Sequence, residues 1–215
     1  MYVNTAVYMD YGKTYKGVIM SIKGSRTSEN LLKAFAGESQ ARNRYLYAAS
    51  LARKQGMEQI ANIFTETADN EKTHAKLFLK HLIGNGMKGE PITISATYPA
   101  AFDEENTLQN LEWAAAGEKE EWTLVYPEFA EIAEDEGFND IAVTFRMIAK
   151  VEAKHEARYR KLIENVKNQR VFKKDGKVFW KCLECGFIHE GDAAPAICPC
   201  CKHPQAFFEM FTETY

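Results

Sequence analysis

The chain has 215 residues, 27% of them charged and 46% hydrophobic, and its 27 Lys and Arg nearly balance its 30 Asp and Glu. This balance argues against a protein that binds nucleic acid or an anionic membrane, because both are recognised through an excess of basic residues. The length is sufficient for a buried core without disulfide bonds, in one domain or in a large domain plus a small one.

All five cysteines lie between residues 182 and 201. Such clustering favours a metal site over the dispersed disulfide framework of a small secreted protein. The first 24 residues contain no uninterrupted apolar segment with a cleavage site, and no run of about 18 apolar residues occurs in the sequence. We therefore expect a cytoplasmic protein that does not associate with membranes.

Four segments have apolar residues at intervals of three and four, as the buried faces of long helices require. These segments are residues 28–55, 58–83, 107–135 and 138–166. Gly56 follows the first and Gly84 the second, and the Gly- and Pro-rich residues 84–105 predict a long irregular connection. Four long helices with one long crossover predict a mainly α fold, a ferritin-like four-helix bundle.

The second pair of predicted helices repeats the first. At an offset of 81 residues, Tyr45 aligns with Tyr126, Phe64 with Phe145, Glu71 with Glu152 and His74 with His155. Upstream of the tyrosines the offset falls to 80, where Glu38 aligns with Glu118. The third helix therefore holds one extra residue, which a helix accommodates most easily as a π-bulge. We expect a local defect at residues 119–126.

Each half of the duplication contains a Glu-x-x-His motif and one further Glu on the preceding helix. The motifs are Glu71 with His74 and Glu152 with His155, and the further residues are Glu38 and Glu118. At positions i and i+3 the carboxylate and the imidazole lie on one helix face and can bind the same ion. This set predicts a dinuclear metal centre inside the bundle, and its oxygen and nitrogen ligands suit iron or manganese.

Three further residues lie near this set in the sequence. Glu121, beside the inserted residue, has no acidic counterpart in the first half, and we interpret it as a seventh, asymmetric ligand rather than part of a solvated helix face. Tyr45 and Tyr126 follow the glutamates by two turns. They either hydrogen-bond the ligand carboxylates or simply pack in the core.

After residue 167 the helical period ends, and residues 170–180 predict a strand, an Asp-Gly turn and a second strand. Four cysteines with the spacing C-x2-C-x12-C-x2-C follow: Cys182, Cys185, Cys198 and Cys201. This spacing is typical of a tetrahedral four-thiolate site, which either zinc or rubredoxin-type iron can occupy. Gly186 permits the turn after the first pair, whereas Lys202 occupies the equivalent place after the second. Cys200 is expected to stand apart, although ligation in place of Cys198 or Cys201 stays open.

Several of these stretches together resemble the rubrerythrin family, from about Met20 to the end of the chain. They are Lys-Gly-Ser-Arg-Thr at residues 23–27, Ala-Phe-Ala-Gly-Glu-Ser-Gln-Ala-Arg-Asn-Arg-Tyr at 34–45, Ala-Ala-Gly-Glu at 115–118, Tyr-Pro at 126–127 and Cys-Leu-Glu-Cys-Gly-Phe-Ile-His-Glu-Gly at 182–191. The resemblance implies a non-haem di-iron peroxidase that reduces hydrogen peroxide to water. It also implies a rubredoxin-like iron centre that delivers electrons, a donor such as rubredoxin or an NAD(P)H-dependent reductase, and a homodimer or higher homo-oligomer.

The resemblance further implies the ligands of each iron site. Those of the di-iron centre would be Glu38, Glu71, His74, Glu118, Glu121, Glu152 and His155, with Glu121 and His74 exchanging as the centre changes redox state. The rubredoxin-type iron would be bound by Cys182, Cys185, Cys198 and Cys201. The chain would divide into an extension at residues 1–20, a ferritin-like di-iron domain at 21–168 and a rubredoxin-like domain at 169–215.

Two alternatives remain at this point. A ferroxidase or iron-storage protein would use the same ligands in the bundle but would have no need of the four-cysteine domain. A binding protein would instead use that domain as a zinc ribbon that recruits partners. The presence of the cysteine set favours the peroxidase over the ferroxidase, and the visible spectrum would separate iron from zinc.

Overall fold

The computed structural model describes residues 4–10, 13–19 and 21–214. Two antiparallel strands, β1 (Asn4–Asp10) and β2 (Lys13–Ile19), precede the helices. The extension predicted for residues 1–20 lies only partly within these ranges, and its status stays a prediction. Across the described ranges, every helix is too short or too polar to serve as a membrane span.

Five helices build the bundle, and the four predicted segments are confirmed with ends shifted by one or two residues. They are α1 (Arg26–Lys54), α2 (Glu58–Leu82), α3 (Thr107–Glu120), α4 (Tyr126–Asp135) and α5 (Asn139–Lys167). Ser25 begins α1 by accepting a hydrogen bond from the backbone N–H of Ser28. Gly56, at φ +72°, turns the chain into α2.

The end of the second helix differs from the prediction. A π-helical turn, Ile83–Met87, follows α2, and the chain reverses at Gly86, with φ +89°, rather than at Gly84. Residues 88–106, called here the crossover segment, are neither helix nor strand, which confirms the irregular connection. The Tyr98 hydroxyl donates a 2.6 Å hydrogen bond to the carbonyl of Lys33 and so fastens this segment to α1.

The predicted defect in the third helix is confirmed. A π-helical segment, Glu121–Val125, separates α3 from α4, and the backbone N–H of Tyr126 bonds to the carbonyl of Glu121. The indole N–H of Trp122 in this segment donates to Glu156 Oε2 on α5 at 2.6 Å. The segment thus takes up the inserted residue within one turn and is fastened to the neighbouring helix by a side-chain bond.

Two apolar clusters fill the bundle on either side of its middle. One contains Phe78 and Phe145, whose rings are 5.0 Å apart, and the other contains Phe64 and Tyr159, 5.2 Å apart. Along α2 and α5 the two Glu-x-x-His motifs fall between these clusters. The buried charges therefore lie in a layer that is closed above and below by aromatic packing.

The C-terminal part is a small three-stranded sheet with strand order β4-β3-β5. Its strands are β3 (Lys173–Cys182), β4 (Ile188–Ala193) and β5 (Phe208–Met210). The predicted Asp-Gly turn is wrong, because Asp175 and Gly176 lie inside β3. The register shifts between Lys173, opposite Ala193, and Val178, opposite Gly191. The residues before and after Asp175 and Gly176 do not pair with each other, because β3 pairs with β4 and β5 instead. The extra residues of β3 between these two pairs therefore form a bulge-like irregularity and not a turn.

Candidate metal centres

Six acidic and imidazole side chains converge in the middle of the bundle, and each of these residues is at most 6% exposed. Their potential ligand atoms form two groups, within each of which all atoms lie within 4.8 Å of one another. The first group is Glu38, Glu71, His74 and Glu152, and the second is Glu71, Glu118, Glu152 and His155. Glu71 and Glu152 belong to both groups, as carboxylates that bridge two metal ions would.

The two histidines face the shared carboxylates. His74 Nδ1 lies 2.8 Å from Glu71 Oε2 and 2.9 Å from Glu152 Oε1, and His155 Nδ1 lies 2.7 Å from Glu152 Oε2. Burial alone would lower both imidazole pKa values, but the close carboxylates raise the pKa of His74 to about 9 and that of His155 to about 12. In the absence of metal, protonated imidazoles therefore offset part of the buried negative charge.

The buried polar atoms test whether these residues suit a metal. Eight buried polar atoms of the site make no hydrogen bond of acceptable geometry in the described chain, although the Nδ1 atoms lie close to carboxylate oxygens. They are Glu38 Oε2, Glu118 Oε2, both carboxylate oxygens of Glu71 and of Glu152, and Nδ1 of each histidine. Leaving so many polar atoms without partners is costly, whereas metal ions coordinate such atoms directly. Four carboxylates and two imidazoles also form the mixed oxygen and nitrogen donor set that suits iron. The residues therefore fit a pair of iron ions.

Each of the two tyrosines identified in the sequence contacts a glutamate from the other half of the duplication. The Tyr45 hydroxyl donates a 2.7 Å hydrogen bond to Glu118 Oε1, and the Tyr126 hydroxyl donates to Glu38 Oε1. Both rings also pack in the apolar clusters, so the two roles considered for them coexist. These bonds orient the carboxylates from outside the coordination sphere.

A third outer contact was not predicted. Asn70 Oδ1 lies 3.2 Å from His155 Nε2, the ring nitrogen that points away from the carboxylates. An amide oxygen at this position accepts a hydrogen bond from Nε2–H, which keeps the proton on Nε2 and leaves Nδ1 free for a metal. The duplication could not reveal this contact, because the residue aligned with Asn70 is Val151.

Glu121 lies outside both groups. It is half-buried on the π-helical segment and lines a cavity of about 240 Å³ together with Gly37, Gly117 and Tyr98. Burial and the charge of Glu118 raise the pKa of Glu121 well above its usual range. Burial, followed by the charge of Glu121, likewise raises the pKa of Glu38 well above its usual range. Glu121 is therefore close enough to the central glutamates to interact with them electrostatically, while the fourth member of the first group is His74.

The four predicted cysteines of the C-terminal part form one group, and Cys200 is exposed and outside it. Cys182 Sγ lies 3.7 Å from Cys201 Sγ, and Cys185 Sγ lies 3.6 Å from Cys198 Sγ. A tetrahedral site with metal–sulfur bonds of about 2.3 Å has sulfur–sulfur edges of about 3.8 Å. The spacing therefore suits a single ion bound by four thiolates.

Two similar turns hold these cysteines. The N–H of Gly186 bonds to the carbonyl of Cys182 at 2.9 Å, and the N–H of Lys202 bonds to that of Cys198 at 3.0 Å. Gly186 has φ +77° and Lys202 has φ +65°, so lysine adopts a conformation that glycine adopts more easily. Burial would raise the pKa of Cys198, but backbone N–H groups of Cys201 and Cys200 lower it to about 6. A backbone hydrogen bond would lower the pKa of Cys185, but contacts with the other thiols raise it, so without metal the thiolate form is favoured at Cys198 and opposed at Cys185.

The profile of the Rubrerythrin family matches residues 29–163, and that of the rubrerythrin rubredoxin-like domain matches residues 180–209. The chain belongs to the rubrerythrin family. It is 54% identical over 196 residues to Rubrerythrin-1 of Clostridium acetobutylicum, covering 91% of this chain and 99% of that protein. It is 48% identical over 190 residues to rubrerythrin of Nitratidesulfovibrio vulgaris, covering 88% and 96%.

Among solved structures, the chain is similar to nigerythrin in a mixed-valence state, with 30% identity and a TM-score of 0.56. That match covers 98% of this chain and 100% of the nigerythrin chain. Rubrerythrins are iron-dependent oxidoreductases, with a di-iron site in a ferritin-like bundle and a four-cysteine site in a rubredoxin-like domain. The two sites described above are the counterparts of these two iron sites in this chain.

Proposed function

We propose that this rubrerythrin is a peroxidase that reduces hydrogen peroxide to water in the bundle. The observation that carries the proposal is the pair of four-ligand groups that share Glu71 and Glu152, with a cavity reaching Glu121 beside them. When bound, the two iron ions supply the two electrons that break the O–O bond. The residues of the chain hold the ions, admit the peroxide and deliver the protons.

Seven residues are proposed as ligands of the di-iron site. They are Glu38, Glu71, His74, Glu118, Glu121, Glu152 and His155. Six lie in the two groups, and we propose that Glu121 replaces His74 at the first iron in the oxidised state. Support comes from the position of Glu121 on the π-helical segment, half-buried and next to the first group.

The same residue is well placed to handle protons. Its raised pKa favours the protonated form of the Glu121 carboxyl, and this residue lines the cavity through which peroxide would enter. Glu121 would donate its proton to a peroxide oxygen as the O–O bond breaks and would be left as a carboxylate able to bind metal. Tyr126 and Tyr45 would meanwhile keep Glu38 and Glu118 oriented.

The four-cysteine site is proposed to return electrons to the bundle. It would bind one iron ion through Cys182, Cys185, Cys198 and Cys201 and accept electrons from a rubredoxin or an NAD(P)H-dependent reductase. We propose the corresponding division of the chain near residue 168, an assembly of two or more copies, and a cytoplasmic role in defence against peroxide. An iron-storage protein would not need this second site.

Anaerobic stopped-flow mixing tests the proposal. The fully reduced, iron-loaded protein is mixed with hydrogen peroxide or with dioxygen, and the absorption of the oxidised iron sites is followed. We expect oxidation by peroxide to be at least tenfold faster at equal concentration, followed by electron loss from the four-cysteine iron. Faster oxidation by dioxygen, with retention of many iron ions per chain, would support the ferroxidase alternative instead.

A further inference from the structure

The cavity beside Glu121 is larger than its proposed substrate requires. It lies between α1 and the α3–α4 region, beneath residues 95–99 of the crossover segment, and has a volume of about 240 Å³. A water-sized molecule needs on the order of 10–15 Å³ of such space. Hydrogen peroxide is only slightly larger than water, so it would occupy a small part of this cavity and leave the rest to water.

The walls of the cavity differ in character. Ala34, Val125 and Phe129, which belong to one apolar cluster, contribute an apolar side, and the half-exposed ring of Tyr98 on the crossover segment also lines the cavity. Glu121 and Tyr126 lie where the cavity meets the metal ligands, since the hydroxyl of Tyr126 donates to Glu38. A molecule with an apolar body and a polar reactive end would match this arrangement.

Two glycines keep the cavity open next to the ligands. Gly37 and Gly117 line it and directly precede Glu38 and Glu118 in the duplicated sequence. A Cβ atom at residue 117 would meet no described atom within 4 Å, and one at residue 37 would meet only the Tyr98 ring, at 3.5 Å. The space is therefore left free by the absence of side chains at both positions, although alanine would favour the helix more.

We propose that this cavity binds the organic group of an alkyl hydroperoxide, ROOH, and that the protein reduces such compounds as well as hydrogen peroxide. The inference rests on the proposed peroxidase function. The O–O bond of ROOH breaks, two electrons from the reduced iron sites and two protons are taken up, and the products are the alcohol ROH and water. The R group lies against Ala34, Val125 and Phe129, and the –OOH end faces Glu121.

Filling the cavity tests this assignment. Gly117→Leu places a side chain in the open space, and Gly117→Ala fills less of it and also favours the helix. Gly84→Leu is the matched control, because Gly84 likewise has no described atom within 4 Å of an added Cβ and lies outside the cavity. Turnover of cumene hydroperoxide and of hydrogen peroxide is measured on the iron-loaded, full-length proteins, with iron content determined for each.

A second measurement does not depend on turnover. Binding of the product, cumyl alcohol, to the oxidised protein is measured by titration calorimetry. We expect Gly117→Leu to weaken this binding at least tenfold and to lower the ratio of cumene hydroperoxide to hydrogen peroxide turnover at least tenfold. Gly117→Ala should have a smaller effect of the same sign, and Gly84→Leu should change neither quantity.

The outcomes separate this inference from the proposed function. If the unchanged protein reduces hydrogen peroxide but not cumene hydroperoxide, the inference is overturned and the peroxidase function stands. Equal ratios and equal alcohol binding in the unchanged protein and Gly117→Leu would also overturn it. If neither peroxide is reduced, both the function and the inference fail.

Discussion

The phenol of Tyr45 donates a 2.7 Å hydrogen bond to Glu118, which lies on a different helix and in the other half of the duplicated sequence. Tyr126 makes the reciprocal bond to Glu38. Each half therefore orients the lone glutamate of the other. Any change in the packing of one hairpin against its partner would alter the position of a metal ligand in both.

Tyr45→Phe should weaken metal binding without unfolding the bundle. The ring still packs against Phe64 and Tyr159, but Glu118 loses its orienting donor. Loss of such an outer contact costs about 10–100-fold in metal affinity. Competition with a chelator measures the affinity. Tyr159→Phe is the control, since its hydroxyl does not contact a ligand carboxylate, and an equal loss there would contradict the assigned role.

Glu121→Ala should retain two iron ions per bundle and slow peroxide turnover at least tenfold. The six residues of the two groups hold the ions, whereas the proposed ligand exchange and proton delivery both need the carboxylate. Iron analysis and single-turnover oxidation by peroxide measure the two quantities separately. Glu120→Ala is the control on the adjacent, exposed position. Unchanged turnover in Glu121→Ala would refute the exchange.

Trp122→Phe should destabilise the metal-free protein by about 1–2 kcal/mol, because it removes a hydrogen bond to the buried carboxylate of Glu156 while keeping an aromatic ring. Urea unfolding followed by circular dichroism measures this. Trp113→Phe on α3, which is 36% exposed, should change the stability by less than about 0.5 kcal/mol. Equal effects would show that the indole N–H does not fasten the π-helical segment.

The gain in stability on metal binding should grow from pH 6 to pH 9. The folded-state pKa of His74 is raised to about 9, so its stabilising protonation is complete below its ordinary value of 6.5 and is lost as the pH rises through 9. Burial raises the pKa of Glu118 to about 8, and its proton is likewise lost over this range. Metal ions bind the deprotonated groups and offset the loss of stability that deprotonation causes in the metal-free protein. Melting temperatures of loaded and metal-free protein should therefore diverge with rising pH, and parallel curves would contradict the assignment.

Cys198→Ser should abolish the visible absorption of the four-cysteine iron, and Cys200→Ser should leave it unchanged. Cys198 is buried within the group, whereas Cys200 is exposed and outside it. Spectra of both purified variants, with iron and zinc contents, decide between the two cysteines. A spectrum altered by Cys200→Ser would indicate the alternative ligation.

Much of this architecture could be predicted because the two halves of the duplicated sequence can be aligned with each other. The change of offset between Glu118 and Tyr126 located the π-helical segment, since an extra residue in a helix must be taken up somewhere. The path of β3 was not predictable in the same way. Asp175 and Gly176 favour a turn locally, but pairing with β4 and β5 overrides that preference, and such long-range pairing leaves no local pattern.

The contacts made outside the duplicated pattern also escaped prediction. Asn70 has no aligned amide in the second half, and Tyr98 lies in the irregular crossover segment, where no periodicity indicates which side chains reach the bundle. The repetition and the helical spacing were sufficient to predict the six residues that form the two groups in the bundle. The surrounding polar contacts and the cavity depended on tertiary packing.

The two shared glutamates have a consequence for the construction of the site. Each hairpin supplies three members of one four-ligand group and lends the carboxylate of its Glu-x-x-His motif, Glu71 or Glu152, to the other group. A single hairpin would thus contain both kinds of ligand, carboxylate and imidazole, but would supply only three of the four residues of its group. The bundle therefore resembles a dimer of two hairpins joined in one polypeptide, in which bound metal ions would link the two hairpins.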